Sequence, residues 1–314
     1  MPLDRTLHII LGAGGAIGTP LALELLAKNR RLRTVSRSGA GPAGAGAVRA
    51  DLTEPDAVMR AVEEGATVYL LAGLPYDRRV WQEQWPRIMR NVVGACESKG
   101  ARLIFFDNVY PYGRVDGPMT EDTPVHPTSH KGKIRAEIAG YLQTEMAAGR
   151  ITASIARAAD FYGPDSEKTS IPSILIFPRL AAGKSAQVFV SADTRHSFTY
   201  TLDCAKALCL LADADDSFGQ VWHLPTAHPA LTGREFVELA AKALGVAPRV
   251  SPLPAWTMKT AGLVVRMMRE LAEMLYQYDH DYVFDSSKFE RRFGFVPTAY
   301  GDGIRATAQS FVKP

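Results

Sequence analysis

The stretch IILGAGGAIGTPLALELL, residues 9–26, decides the fold. An apolar, strand-like run leads into a glycine-rich turn, and a helix-like segment follows it. In this setting Gly12 permits a tight turn, Gly15 lets the backbone approach a pyrophosphate, and Gly18 lets the helix pack closely on the strand. The N-terminus of that helix supplies N–H donors and a partial positive charge. The stretch therefore predicts a dinucleotide site made of Gly12, Gly15, Ala16, Ile17 and Gly18.

The alternation of strands and helices continues through the first half of the chain. Strand-like runs occur at 7–11, 32–36, 47–50, 67–72, 102–106 and 151–156, and helix-length segments at 16–29, 54–64, 80–98 and 132–148. This order predicts the α/β class, with a doubly wound parallel (Rossmann) sheet. Prolines break the pattern after residue 164, which indicates a smaller C-terminal α+β domain. We predict an NAD(P)-binding domain over 1–160 and a substrate domain over 161–314, with about 195–220 returning to the sheet.

The composition argues against several classes of protein. The net charge is +3 with 36 basic and 33 acidic residues dispersed, so there is no basic stripe for nucleic acid. No run of 18 apolar residues and no signal-like segment occurs, and we expect a cytoplasmic protein without a membrane span. The cysteines Cys96, Cys204 and Cys209 lack metal-site spacing and are interpreted as reduced core residues. We therefore expect no metal and a small-molecule substrate.

A methionine-rich segment at 256–278 is helical by composition. It predicts a helix that packs on the sheet domain or on a second copy of the chain. The alternative is a role at a lipid surface or with an apolar substrate, because methionine and aromatic faces adapt to varied ligands.

Further motifs follow the G-x-x-G-x-x-G spacing in a specific order. The chain resembles the extended short-chain dehydrogenase/reductases of the NAD-dependent epimerase/dehydratase type. Asn91, in RNVVGACE, and the late segments FTYTLDCAKAL and DSSKFERRFGFVP are similar to that family's motifs. RAADFYGP, residues 157–164, resembles its R-P-x-N-x-Y-G-P with an aspartate in place of asparagine. The resemblance implies cofactor contacts by Asp51, Leu52, Leu71, Ala72, Gly73, Asp160 and Phe161, and pairing of subunits as a homodimer through the helices at 80–98 and 132–148.

The end of the second strand bears on the choice of cofactor. NAD enzymes usually place a carboxylate there, which binds the ribose hydroxyls and repels a 2′-phosphate. Here Ser36 and Arg37 occupy this place, and a guanidinium favours the phosphate. The sequence predicts NADP in preference to NAD, with an exposed surface arginine as the alternative.

The catalytic element of the resembled family is altered. In that family a Y-x-x-x-K pair carries the chemistry: the tyrosine moves the proton, and the lysine lies near the nicotinamide ribose. Aligning KIRAE with the family's K-L-x-x-E places Lys133 at the lysine and Ser129 at the tyrosine. A serine hydroxyl has a far higher pKa than a phenol and is no proton shuttle near neutral pH. The usual acid/base is therefore absent.

The neighbouring motif offers replacements. Anchoring on Tyr112-Gly113 places Asn108 where the family has a serine or threonine that donates to the substrate oxygen. An amide donates a hydrogen bond but supplies no proton. Tyr110 is the first candidate for the proton donor; the alternatives are Tyr112, His130, and Asp107 if its surroundings keep it protonated. The predicted catalytic residues are Asn108, Tyr110 and Lys133.

Two functions fit this combination. The first is an NAD(P)-dependent oxidoreductase or epimerase/dehydratase-like enzyme that acts on a small carbonyl or hydroxyl compound with a non-standard acid/base. The second is a non-catalytic NADP(H)-binding sensor or regulatory protein. A nucleotide-sugar epimerase is disfavoured. It must remove a hydroxyl proton and return it, and both steps need the acid/base that the missing tyrosine would supply.

Overall fold

A computed structural model of the chain describes residues 6–167 and 169–312. The strands are β1 (Leu7–Leu11), β2 (Arg31–Ser36), β3 (Gly46–Arg49), β4 (Thr67–Leu70), β5 (Arg102–Asn108), β6 (Ala153–Ala158), β7 (Asp160–Tyr162), β8 (Ala186–Phe189), β9 (Arg195–His196), β10 (Phe198–Tyr200), β11 (Val221–His223), β12 (Leu231–Thr232) and β13 (Val250–Leu253). The helices are α1 (Gly18–Ala27), α2 (Pro55–Ala61), α3 (Arg78–Lys99), α4 (His130–Ala147), α5 (Ile171–Leu175), α6 (Phe177–Ala181), α7 (Thr201–Asp213), α8 (Gly233–Leu244), α9 (Ala255–Ala261), α10 (Arg266–Ala272), α11 (Ser287–Phe293) and α12 (Tyr300–Ser310). Short 3-10 turns cover Tyr110–Tyr112, Asp215–Ser217 and Leu275–Gln277.

The chain divides into two compact units, each assembled from separate stretches. Unit 1 contains Met1–Asp107, Ile134–Arg157 and Cys204–Trp222. Unit 2 contains Asn108–Lys133, Ala158–Asp203 and His223–Pro314.

Unit 1 is built on a sheet of seven strands in the order β11-β6-β5-β4-β1-β2-β3. β1 runs parallel to both β2 and β4, and β5 runs parallel to β4. All four residues of β4 are buried, which is typical of a parallel sheet covered by helices on both faces. The predicted doubly wound α/β class is confirmed. The strand order reverses at β1, and ligands of such sheets bind beyond the carboxyl ends of the strands at this point.

Unit 2 combines short strand pairs with helices. β7 pairs in parallel with β10, and β8 with β13. Tyr162, Phe177 and Phe236 are fully buried at the centre of its core. Helix α8 begins with a capping box. The Thr232 side chain accepts from the backbone N–H of Glu235, and the Glu235 side chain accepts from the backbone N–H of Thr232.

The single helix predicted over 256–278 is wrong. The segment forms α9, a turn at residues 262–265, α10 and the 3-10 turn Leu275–Gln277. Gly262 ends α9, and a β-carbon at this residue would lie 3.0 Å from the Cα of Arg269. The two helices therefore fold back on each other at a position where only glycine fits without displacement.

The three cysteines are free and buried, as predicted. Burial raises the pKa of the Cys96 thiol to about 12, so it stays protonated. Within 6–167 and 169–312, no helix combines the length and the apolar character needed to cross a membrane. The same residues include no cluster of three or more His, Cys, Asp or Glu side chains placed to hold a metal ion.

Candidate functional site

The glycine loop between β1 and α1 has the geometry that its spacing predicts. Gly12 has a φ of +98°, and a β-carbon there would lie 2.6 Å from the Cα of Ala72. A β-carbon on Gly18 would lie 2.7 Å from the carbonyl oxygen of Ala13. Gly15 differs, because the atom nearest to a β-carbon there, the carbonyl oxygen of Gly12, would be 3.8 Å away. The space beside Gly15 is therefore open. Gly12 and Gly18 are required by the fold, whereas Gly15 leaves room for a ligand against the backbone.

The N-terminus of α1 is suited to an anion. Ala16 and Ile17 lead into the helix, and Ile17 at the N-cap provides no side-chain hydrogen bond. The first turn contains no acidic residue. The first N–H groups of a helix have no partner within the helix and carry a partial positive charge. With Gly15 open beside them, these residues fit the pyrophosphate of a dinucleotide.

Two further segments of unit 1 that contain predicted site residues are held by hydrogen bonds. The N–H of Leu71 donates to the carbonyl oxygen of Leu11 at 2.8 Å, which holds the Leu71-Ala72-Gly73 loop against the end of β1. The amide nitrogen of Asn91 on α3 donates to the carbonyl oxygen of Leu52 at 3.0 Å. Asn91 therefore fixes the backbone at Leu52, one of the residues predicted to contact the cofactor.

Arg37 follows β2 and Asp51 comes shortly after β3, the two strands at one edge of the sheet. Hydrogen bonds from Thr53 hold the pKa of Asp51 below its usual value, and the charges of Arg37 and Arg87 add to the effect. Ser36 closes the turn after β2, since its hydroxyl accepts from the N–H of Gly39 at 3.1 Å. Arg37 itself is exposed. This turn presents a guanidinium to solvent at the end of β2.

Ser129 and Lys133 lie at the start of α4. The Ser129 hydroxyl accepts from the N–H of Gly132 at 3.0 Å, and the N–H of Lys133 donates to the Ser129 carbonyl oxygen at 3.0 Å. Ser129 is buried and Lys133 is exposed. The serine therefore serves as the N-terminal cap of the helix, one turn before the lysine.

Asn108 and Tyr110 lie on the loop that leaves β5. The side-chain oxygen of Asn108 accepts from the N–H of Tyr110 at 3.1 Å, which turns the NH2 group of the amide away from that bond. A β-carbon on Gly132 would lie 2.7 Å from the carbonyl oxygen of Tyr110 and 2.9 Å from the Ser129 hydroxyl. The structure thus places the Tyr110 carbonyl group and the Ser129 hydroxyl beside the first turn of α4, and the side chain of Asn108 bonds to the backbone of Tyr110.

The alternative acids have structural partners. Asp107 is fully buried and accepts from the guanidinium Nε atoms of Arg135 at 2.8 Å and Arg157 at 3.0 Å. Both oxygens of the Asp107 side chain are therefore held by arginines. Tyr112 is buried with its hydroxyl 2.6 Å from Nε2 of His223. The side chain of His130 is exposed, and the backbone N–H of His130 donates to the Glu273 carboxylate.

Asp160 belongs to an ionic group within unit 2. Its Oδ2 lies 3.1 Å from Nε2 of His196 and accepts from the Tyr278 hydroxyl at 2.6 Å. Burial alone would raise the pKa of Asp160, but the hydrogen bond and charge of His196, with the Tyr278 hydroxyl, hold it below its usual value. Phe161 continues β7 and pairs with Thr199 of β10. Asp160 is therefore an anion that anchors the edge of β7.

Two features of unit 2 were not predicted. Burial raises the pKa of Tyr276, and its interaction with the Ser129 side chain is one of the influences that oppose the rise. Lys131 is completely buried and donates to the carboxylates of Glu270 and Glu273, the latter at 2.6 Å. No local signal identifies either contact, because the partners lie far apart in the chain.

The chain shares its motifs with known proteins. The sequence profile of the NAD dependent epimerase/dehydratase family matches residues 8–224. The dTDP-4-dehydrorhamnose reductase of Mycolicibacterium smegmatis is 30% identical over 216 residues, which are 65% of this chain and 60% of that protein. The 2′-dehydrokanamycin reductase of Streptomyces kanamyceticus is 27% identical over 255 residues, 78% of this chain and 68% of that protein. The match thus spans about three fifths of the length of the mycobacterial relative.

Solved structures share the fold at low sequence identity. The UDP-glucose 4-epimerase of Thermus thermophilus in complex with NAD superposes with a TM-score of 0.79 at 20% identity, covering 98% of this chain and 99% of that one. A dTDP-glucose 4,6-dehydratase of Streptomyces venezuelae gives a TM-score of 0.78 at 18% identity, covering 98% and 97%. At these identities the likeness establishes the architecture alone.

Proposed function

Because the chain belongs to the NAD dependent epimerase/dehydratase family, we propose that it is an NADPH-dependent reductase of a ketone carried by a sugar or sugar nucleotide. The observation that carries the proposal is the glycine loop, where Gly15 leaves open space beside the uncapped N-terminus of α1. Two of the relatives, a dTDP-4-dehydrorhamnose reductase and a 2′-dehydrokanamycin reductase, support this substrate class. A cytoplasmic location and a homodimer remain parts of the proposal.

Reduction suits the altered catalytic element better than epimerisation. The cofactor supplies a hydride to the carbonyl carbon when bound, and the carbonyl oxygen takes up one proton. An epimerase must also remove and restore a hydroxyl proton, which calls for a base that Ser129 does not provide. In this proposal the NH2 group of Asn108 donates to the substrate oxygen and Lys133 orients the nicotinamide ribose. Tyr110 is the proton donor that the sequence offers.

The experiment combines binding and turnover. We expect calorimetry to register NADPH binding, and we expect oxidation of NADPH when 4-keto sugar nucleotides or keto sugars are added. Absence of heat with every pyridine dinucleotide contradicts the cofactor site. Binding without turnover across the panel favours the second candidate, a non-catalytic NADP(H) sensor, which the serine at position 129 supports.

Arg37→Ala is expected to abolish the preference for NADPH. The guanidinium forms a charge-assisted hydrogen bond with a 2′-phosphate that NADH lacks. Because Arg37 is exposed, we expect NADPH affinity to fall about tenfold, or about 1.4 kcal/mol, while NADH affinity changes little. Calorimetric titration of both cofactors measures this difference. Arg60→Ala, which changes another exposed arginine, on α2, is the control. Equal losses of affinity for both cofactors in Arg37→Ala would refute the assignment.

A further inference from the structure

A second arginine of unit 1 lies beside the turn that carries Arg37. In the register of the parallel strands β2 and β3, Arg49 is the neighbour of Ser36, and each is the last residue of its strand. The backbone N–H of Ala50 donates to the carbonyl oxygen of Ser36 at 3.1 Å and continues the pairing beyond both strands. Side chains alternate between the faces of a sheet, so neighbours in register start on the same face. Ser36 and Arg49 therefore share one face, at the carboxyl ends of β2 and β3.

The turn after β2 packs against the base of the Arg49 side chain. A β-carbon on Gly39 would lie 3.2 Å from the β-carbon of Arg49. The Ser36 hydroxyl accepts from the N–H of Gly39 at 3.1 Å, and the Ser38 hydroxyl accepts from the N–H of Ala40 at 3.3 Å. These bonds fix the shape of residues 36–40. The turn that contains Arg37 is thus held beside the start of the Arg49 side chain.

The charges of this edge of the sheet have one sign. Residues 36–50 contain Arg37 and Arg49 and no acidic residue. Both arginines are exposed, and in the part of the chain that the structure describes Arg49 has neither a hydrogen-bond partner nor an ion-pair partner for its side chain. The carboxylate of Asp51, two residues further on, accepts instead from the N–H and the hydroxyl of Thr53. The Arg49 guanidinium is therefore available to an anion.

A ribose 2′-phosphate suits two cations better than one. A phosphate monoester carries about 1.5 to 2 negative charges at pH 7 and has three acceptor oxygens. A single guanidinium carries one positive charge, and its planar fork of N–H donors fits two of these oxygens. Arg37 alone leaves part of the charge and one oxygen without a partner. A second arginine on the adjoining strand supplies both.

We propose that Arg49 binds the 2′-phosphate of NADPH together with Arg37 and is a second residue that determines the choice between NADPH and NADH. This inference rests on the proposed function, which names Arg37 for that choice. Because both guanidiniums hold one phosphate between them, loss of either is expected to release it. Neither arginine has a part in hydride or proton transfer, so the effect falls on binding.

The test uses two fragments of the cofactor that differ by the 2′-phosphate alone. Adenosine 2′,5′-bisphosphate contains this group and adenosine 5′-monophosphate lacks it, and neither contains the nicotinamide. Calorimetric titration of the wild-type chain should show tighter binding of the bisphosphate. Arg49→Ala is expected to lower its affinity for the bisphosphate about tenfold, the usual effect of losing a hydrogen bond to a charged group, while affinity for the monophosphate changes little.

Three further variants serve as controls. Arg49→Lys keeps the charge but not the fork, and it should retain part of the preference that Arg49→Ala loses. Arg49→Gln keeps a long polar side chain without the charge, and it should lose the preference as Arg49→Ala does. Arg60→Ala, on α2, should bind both fragments as the wild type does. Thermal unfolding checks the fold, and the midpoints should agree because Arg49 is exposed.

Ionic strength gives a readout that a merely structural role of Arg49 would not change. Salt screens the attraction between exposed charges. The preference of the wild type for the bisphosphate should therefore decrease as the salt concentration rises, and the decrease should be shallower in Arg49→Ala. Equal dependence on salt in the two proteins would contradict a contact between Arg49 and the 2′-phosphate.

The outcomes separate this inference from the proposed function. A wild-type preference in Arg49→Ala, with loss of preference in Arg37→Ala, overturns the role of Arg49 and leaves the NADPH-dependent reductase intact. Equal weakening of both fragments in Arg49→Ala also overturns it, because the arginine would then support the nucleotide site as a whole. A wild-type chain that binds the two fragments equally overturns both this inference and the proposed preference for NADPH.

Discussion

Gly15→Ala is expected to fold normally and to bind NADPH about tenfold to a hundredfold more weakly. The added methyl group has room within the protein, since its nearest neighbour would be 3.8 Å away. In the bound state it occupies the space that the pyrophosphate needs beside the N-terminus of α1. Loss of a hydrogen bond to a charged phosphate costs about 1.5–3 kcal/mol, which sets the expected range. Calorimetry measures the affinity, and circular dichroism checks the fold.

Neighbouring glycines provide the controls. A β-carbon on Gly14 would meet no atom within 4 Å, and the resembled motif leaves that position free, so Gly14→Ala should bind NADPH nearly as the wild type does. Gly12→Ala should instead impair folding, because its φ is +98° and Ala72 lies 2.6 Å from the new carbon. Equal affinities in Gly15→Ala and the wild type would remove the basis for a pyrophosphate at this loop.

The parallel sheet was predictable because its signal is local. Each buried strand is a short apolar run followed by a helix-length segment, and the glycine spacing identifies the first crossover. The failure at residues 256–278 has an equally physical cause. Composition favours one long helix, but Gly262 allows the backbone of the segment to approach Arg269 closely, and this tertiary contact decides the fold.

The residues of the candidate site were predictable only where a single segment of the sequence contains them. The spacing before Lys133 shows that a tyrosine is missing, but no pattern in the sequence shows that Lys131 pairs with Glu270. Asp160 illustrates the same limit. Its place in the RAADFYGP motif is visible in the sequence, whereas its bonds to His196 and Tyr278 depend on segments brought together by folding. Motifs identify residues by their positions along the chain. The hydrogen-bond partners of these residues become visible only in the tertiary structure.

Asp107→Asn is expected to reduce the free energy of unfolding by about 3–5 kcal/mol, the usual cost of leaving a buried charge without its partner. The fully buried carboxylate joins Arg135 and Arg157, whose side chains are 5% and 3% exposed. An amide keeps the size of the side chain but removes the charge, so two buried guanidiniums lose their counter-ion. Urea denaturation followed by tryptophan fluorescence measures the loss, since Arg135 lies 4.6 Å above the ring of Trp85.

The matched control is Asp215→Asn, which removes the partner of Arg102 at a carboxylate that is 97% exposed. Solvent screens this pair, and exposed ion pairs contribute little to stability. Its denaturation midpoint should therefore stay close to that of the wild type. Equal shifts in the two variants would mean that burial of Asp107 adds nothing to its ion pairs. A small shift in Asp107→Asn alone would mean that the two arginines reach other acceptors or water when the carboxylate is lost.

Asp107→Asn removes no predicted cofactor contact. NADPH affinity of this variant, measured well below the denaturation midpoint, should therefore remain that of the wild type.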